Sequence, residues 1–273
     1  MSERTSPSVD LSACAAALEH AEANRRPIGP LTERFPQLSL EDAYGIQQAN
    51  VLRRTRKGER VVGHKIGLTA LAMQELFGVN EPDYGHLLDT MVHDHKVPLD
   101  LGELIDPQIE VEPGFVLARQ LAGADLTIEN VLDATDYICV CLEIIDSRIV
   151  DWRIRVQDTV ADNGSSARIV VGEERVAPRS VALDDLVTTL ELDHQVAETG
   201  RTSAILGHPA NGIAWLARAL SRFDIVLRPG DIVLPGTCTR SRRIFGHTHA
   251  SGHIDKLGSV SLSIRNQPFV TRR

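Results

Sequence analysis

The stretch DPQIEVEPGF (106–115) restricts the fold more than any other ten residues of the chain. Apolar residues alternate there with carboxylates, the pattern of a strand, in which residues two apart point to one side. Glu110 and Glu112 then stand side by side, while Ile109, Val111 and Phe115 face elsewhere. Like charges that close repel each other and are costly to strip of water, so something positive belongs between them. A third carboxylate, Glu143, lies in the apolar run CVCLEII (139–145), which reads as a buried strand. Buried glutamates are rare unless paired or ligating. Three converging carboxylates would suit a hard divalent cation such as Mg²⁺ or Mn²⁺. The plainer alternative is an edge strand with a wet outer face and Glu143 paired to Arg148.

The remaining pattern mixes helices and strands without regular alternation, which predicts an α+β fold. Residues 10–24 read as a helix capped by Asp10 or Ser12, and Ser39 opens a second helix that stops near Gly58. RVVGHKIGL (60–68) reads as a strand and TALAMQELFG (69–78) as a short helix capped by Thr69. EPDYGHLLD (81–89) is turn-rich and reads as a loop carrying Asp83 and His86. Strands follow over 108–118 and 166–172, with a helix running into a buried strand over 126–149. Pro113 implies that the first of these is an edge or carries a bulge. A hairpin over 187–200, a helix over 208–223 and closing strands over 230–237 and 253–265 complete the chain. The organisation expected is one main domain over 1–273, with a helical segment over about 1–58 and a mixed-sheet core over about 59–273.

Composition removes several classes of function. The net charge is −8, with no long basic run, which argues against nucleic acid or an anionic membrane as partner. No stretch approaches the roughly 20 apolar residues of a membrane span, and the N-terminus lacks a secretory signal pattern. Cys14, Cys139, Cys141 and Cys238 show no zinc spacing, so buried free thiols in a reducing cytoplasm are expected. GxSxG, GxGxxG and GxxxxGK[ST] are absent, which removes the best support for serine hydrolysis and nucleotide binding.

Other candidates have two readings each. Lys65, in an apolar strand, can act as acid, base, Schiff-base amine or anion anchor, or be merely solvated. Gly67 and Thr69 precede a helix whose N-terminus could receive a carboxylate. DTVADNGSS (158–166) offers Asp162, Asn163, Ser165 and Ser166 to a ligand, or is a surface loop. HTHASGH brings His247, His249 and His253 close, but without a useful acidic or cysteine partner in sequence it reads as an exposed loop.

VVGHKIGLTALAMQELFGVNEPDYGHL, PQIEVEPGFVLA, LEIIDSRIVDWRI, DTVADNGSS and LGHPANGIAWLARAL occur in this order. Together they resemble the 2-keto-4-pentenoate hydratase and 4-oxalocrotonate decarboxylase family of the fumarylacetoacetate hydrolase-like superfamily, over nearly the whole chain. The resemblance implies a mixed β-sheet roll, a Mg²⁺ or Mn²⁺ centre and a homo-oligomer. It implies metal ligation by Glu110, Glu112 and Glu143, catalysis by Lys65 and Asp83, and substrate contacts from Ser165, Ser166 and Thr69. The implied reaction is hydration of 2-hydroxypenta-2,4-dienoate to 4-hydroxy-2-oxopentanoate in aromatic breakdown. The alternatives are decarboxylation of 4-oxalocrotonate, or a silent partner in a complex with a pathway decarboxylase or aldolase. Two features depart from the family pattern: Pro113 beside the second ligand, and the basic, His-rich RSRRIFGHTHASGHIDK (240–256).

Overall fold

The caps expected from sequence open the N-terminal helices. Asp10 accepts from the Ala13 amide at 3.0 Å and starts α1 (Leu11–Asn24), which Arg25 ends in the left-handed region. A short α2 (Leu31–Arg34) precedes α3 (Leu40–Arg56), where Ser39 and Asp42 form a reciprocal capping box. The structure is a computed structural model, and it describes residues 9–70, 74–75 and 78–266. The helix expected over 69–78 therefore lies largely outside the described residues.

Beyond the helices the chain forms β1 (Val61–Gly67), β2 (Asp83–Leu88), β3 (Leu99–Asp100) and β4 (Gln108–Leu117). Helix α4 (Ile128–Ala134) leads into β5 (Thr135–Ile145), and α5 (Val156–Ala161) leads towards β6 (Ser166–Val171). The hairpin β7 (Val187–Leu192) and β8 (Gln195–Arg201) is followed by α6 (Pro209–Ser221). Last come β9 (Ile232–Leu234), β10 (Arg242–Arg243), β11 (His249–Ile254) and β12 (Gly258–Arg265).

Two mixed sheets result. The larger runs β2-β1-β9-β4-β5-β6, with β10 beside β4, and the smaller runs β3-β12-β11-β7-β8. Past β2, Val92 bridges Ile169 of β6, and the His93 amide donates to the Ile169 carbonyl at 2.8 Å. That link brings the two ends of the larger sheet together and curls it into a roll. Its outer face carries Ile109, Val111, Phe115, Val140 and Leu142, fully buried with Leu190, Ala250 and Leu262 of the smaller sheet. Each such valine, leucine, isoleucine or phenylalanine contributes roughly 1.5–3 kcal/mol on burial. The inner face has its own small apolar plug of Leu87, Cys139, Cys141, Ile169 and Leu234. The helices α1, α2, α3 and α5 share a separate core that includes Leu18, Phe35, Ile46 and Val160.

Four expectations need correction. EPDYGHLLD is not a loop: Asp83–Leu88 is a buried strand registered antiparallel on β1, with Gly67 opposite Asp83 and Lys65 opposite Gly85. Pro113 marks neither an edge nor a bulge in the β4–β5 pairing, which runs unbroken from Gln108 to Val116. The Val140 carbonyl, opposite Pro113, accepts from Gly172 on the β6 side, so this pair does not exchange main-chain bonds. The proline nitrogen therefore points into the gap between β9 and β10, where no ladder needs its hydrogen. The polar segment 158–166 is no surface loop, because Asp158, Thr159, Asp162, Ser165 and Ser166 are all buried. In HTHASGH, His249–Ile254 is a strand, and the β7–β8 turn supplies the acid missing nearby in sequence: His247 Nδ1 lies 2.7 Å from Asp193.

Candidate functional site

The carboxylates meet on the inner face of the roll. Glu110 pairs with Glu143 across β4 and β5, and Glu112 lies two residues along the same face. Oxygens of Glu110, Glu112 and Glu143 all lie within 4.8 Å of one another. That compares with about 4 Å across an octahedral Mg²⁺ with 2.0–2.1 Å bonds. Among the described residues no other group of three acidic, histidine or cysteine side chains converges this way. Glu143 and Glu112 are buried, whereas Glu110 is half-buried.

Lys65 crosses the roll from β1, and its Nζ lies 3.3 Å from Glu143 Oε1. Ser166 Oγ donates to the same oxygen at 3.3 Å, and the Gly236 amide donates to Glu112 Oε2 at 2.7 Å. The Arg148 pairing considered for Glu143 is absent, because Arg148 binds Asp162 instead. Asp83 stands beside Lys65 at the start of β2, and Thr69 is buried against Gly236. Ser165 and Ser166 differ in their hydrogen bonds. The Ser165 hydroxyl donates to Asp162 at 3.4 Å, whereas that of Ser166 turns to the carboxylates.

Charge in this pocket is unbalanced. Burial, then Glu143, pushes the Glu110 carboxyl up to about 7, and burial with Glu143 and Glu110 pushes Glu112 well above its ordinary range. Asp83 is also raised, by burial first, with Lys65 opposing. Burial works against the Lys65 ammonium, but the surrounding carboxylates, Glu143 foremost, outweigh it and hold the lysine protonated. One ammonium thus faces four carboxyl groups. Glu143 Oε2 and Asp83 Oδ1 are buried without a hydrogen-bond partner. An orphaned carboxylate oxygen inside an all-oxygen cluster is what a hard divalent cation would satisfy, so these residues fit such an ion.

Glycines set how closely the parts approach, a role the sequence reading missed. A Cβ on Gly67 would lie 2.2 Å from Asp83 Oδ1, and one on Gly164 would lie 2.9 Å from the Lys65 side chain. A Cβ on Gly236 would lie 2.2 Å from Thr69 Oγ1. The available signal was GHKIG and LPGT, each with a glycine one or two residues from the chemistry. Asn163 was also undervalued: its side-chain amide pairs with both main-chain groups of His86 (2.8 and 2.9 Å), closing the free edge of β2. A surface cleft of about 330 Å³ lined by Glu22, Arg25, Glu103 and Arg148 shares no lining residue with the trio.

Known proteins share this arrangement of sequence and fold. The fumarylacetoacetate (FAA) hydrolase C-terminal family model matches residues 90–264. A 2-keto-4-pentenoate hydratase of Paraburkholderia xenovorans is 41% identical over 246 residues, covering 90% of this chain and 91% of the relative. A 2-oxo-hept-4-ene-1,7-dioate hydratase of Escherichia coli is 36% identical, covering 90% and 95%. Among solved structures, the 4-oxalocrotonate decarboxylase of Pseudomonas putida G7, complexed with magnesium and adipate, superposes with a TM-score of 0.90. It is 32% identical and covers 93% of this chain and 97% of its own.

Proposed function

The chain belongs to the fumarylacetoacetate hydrolase C-terminal family, and from that premise we propose that it is a metal-dependent hydratase. It adds water to 2-hydroxypenta-2,4-dienoate and yields 4-hydroxy-2-oxopentanoate. The observation that carries this reading is the trio of Glu110, Glu112 and Glu143 with Lys65 and Asp83 on one enclosed face, in a chain 41% identical to a hydratase over most of its length. Glu110, Glu112 and Glu143 would hold Mg²⁺ or Mn²⁺. When bound, such an ion would supply Lewis acidity to the substrate's oxygens.

The protein's own groups account for the proton movements. Ketonisation of the dienol moves the hydroxyl proton's equivalent to C5 and leaves a C3=C4 double bond conjugated to the 2-oxo group. Water oxygen then bonds to C4 and a proton to C3. Lys65, held as the ammonium beside Glu143, is placed to hold developing negative charge on the substrate oxygen and to donate a proton. Asp83 has an unpartnered oxygen and a raised pKa, which makes it the group to orient water and take its proton. Ser166 and Thr69 line the substrate side, while Ser165 acts through Asp162. The same reading carries a single catalytic domain, a cytoplasmic homo-oligomer and a place in aromatic breakdown.

The test follows the ultraviolet absorbance of freshly generated 2-hydroxypenta-2,4-dienoate with Mg²⁺ or EDTA, identifying products in the same run. Fast, EDTA-sensitive formation of 4-hydroxy-2-oxopentanoate is expected. Release of CO₂ from 4-oxalocrotonate with no hydration above background would replace this reading with the decarboxylase one.

A further inference from the structure

The proposed chemistry leaves RSRRIF (240–245) unused, yet the structure seats it at the rim of the carboxylate cluster. β10 pairs with β4 through Arg242↔Ile109 and Arg243↔Gln108, one residue beyond Glu110 on the strand. Residues opposite one another in an antiparallel pair share a face. Arg242 therefore follows Ile109 to the outer face, where it pairs with Glu198 of β8. Arg243 follows Gln108 to the inner face, which Glu110 and Glu112 also occupy. Ser241 confirms the placement by donating to Gln108 Oε1 at 2.7 Å.

Arg243 is oriented as well as placed. Its Nη2 lies 2.9 Å from Asp106 Oδ2. Asp106 is itself pinned, with its amide donating to Asp146 at 2.8 Å and its carbonyl accepting from Trp152 Nε1 at 3.0 Å. The Arg243 side chain is still 64% exposed, so its planar fork stays accessible to a second anion. Two strand steps, about 7 Å, separate the Gln108 row from the Glu110 row. The opposite end of the site is closed by the fully buried Leu87, Cys139, Cys141, Ile169 and Leu234. A substrate held by its carboxylate at the trio would then extend along the half-buried Glu110 and Gln108 towards Arg243.

We propose that Arg243 is a specificity-determining residue that receives an anionic group at the far end of the substrate. Among 2-hydroxydienoates carrying a tail, the protein then favours a carboxylate-bearing tail over an apolar one. This rests on the hydratase reading, and the experiment separates the two. Values of kcat/KM are measured for 2-oxohept-4-ene-1,7-dioate and 2-hydroxyhexa-2,4-dienoate, with 2-hydroxypenta-2,4-dienoate as the gauge of hydratase activity. The wild type should favour the dioate by about five- to tenfold, mainly through KM, with the preference shrinking at high salt. Arg243→Gln should remove the preference, and Arg243→Lys should restore part of it. Hydration of all three substrates with no preference for the dioate would overturn this inference alone, as would an Arg243→Gln variant that weakens both tailed substrates equally. Absence of hydration on every substrate would overturn the hydratase reading, and this inference with it. The wild-type ranking and its salt dependence need no variant to fold.

Discussion

Two buried charged sites lie within a few residues of each other on β5 and its continuation, and they are built in opposite ways. At Arg148 and Asp162 the donors and acceptors match. Arg148 Nε meets Asp162 Oδ1 at 2.5 Å, its amide meets Oδ2 at 2.9 Å, and its remaining nitrogens reach the carbonyls of Asp146, Asp162 and Ser166. Burial pushes the Asp162 carboxyl up to about 6, with Arg148 opposing it. At Glu110, Glu112 and Glu143 the acids outnumber the single ammonium, and a carboxylate oxygen has no partner. The first site is complete within the fold, whereas the second is where we propose that a divalent cation binds. The contrast separates structural from functional charge without reference to any relative.

The largest expected difference is in activity. Glu143→Gln should lower metal-dependent turnover by about 10³-fold or more while leaving the protein folded, since it removes charge from an overcharged site. Arg148→Met should do the reverse: removing one partner of a closed buried pair costs on the order of 3–5 kcal/mol in urea unfolding. Equal loss of stability in both variants would erase the distinction. Lys65→Ala comes next, with turnover falling about 10²–10⁴-fold and Mg²⁺ affinity changing far less. Unchanged turnover would remove Lys65 from the reaction.

The pH dependence of stability sharpens the contrast further. In metal-free protein Glu110 titrates at about 7 rather than its ordinary 4.5, because of burial and Glu143. The folded state therefore keeps a proton that the unfolded chain has released. The contribution of this group to stability is accordingly present at low pH and is lost as pH rises from 4.5 to about 7. Mg²⁺ at a hundredfold excess over its Kd should add about 2.7 kcal/mol at neutral pH and less at pH 5, where protons compete. Thermal unfolding in EDTA and in Mg²⁺ across this range checks both signs. The smallest effect is expected at Gly236, whose φ of +119° and contact with Thr69 leave no room for a side chain. Gly236→Ala should cost about 1–3 kcal/mol and weaken the metal site by displacing the amide bound to Glu112.

Much of this was legible in the sequence because local rules and tertiary context agree. The Asp10 cap (one of two candidates), the Ser39 cap, the E-x-E alternation and the apolar run around Glu143 are all set by short-range pattern, and the fold keeps each of them. The failures share a different cause. Asp83–Leu88 follows Pro82 and carries aspartate and glycine near its start, the usual turn residues, yet pairing with β1 overrides that preference. Asp158 and Asp162 look solvated until Thr32 and Arg148 arrive from distant sequence to bury them. Pro113 is tolerated in a central strand only because β9 and β10 leave a gap beside it, which no window around residue 113 reveals. Glycines that permit close approach are silent in sequence, since their meaning lies in what fills the space they leave.

The most direct test of the central claim is a Mn²⁺ titration followed by electron paramagnetic resonance, comparing the wild type with Glu112→Gln and Glu143→Gln. The account predicts one tightly bound ion per chain in the wild type, displaced by Mg²⁺, and binding at least tenfold weaker in each variant. Wild-type binding no tighter than that of the variants would contradict it, and the three carboxylates would then not form a cation site.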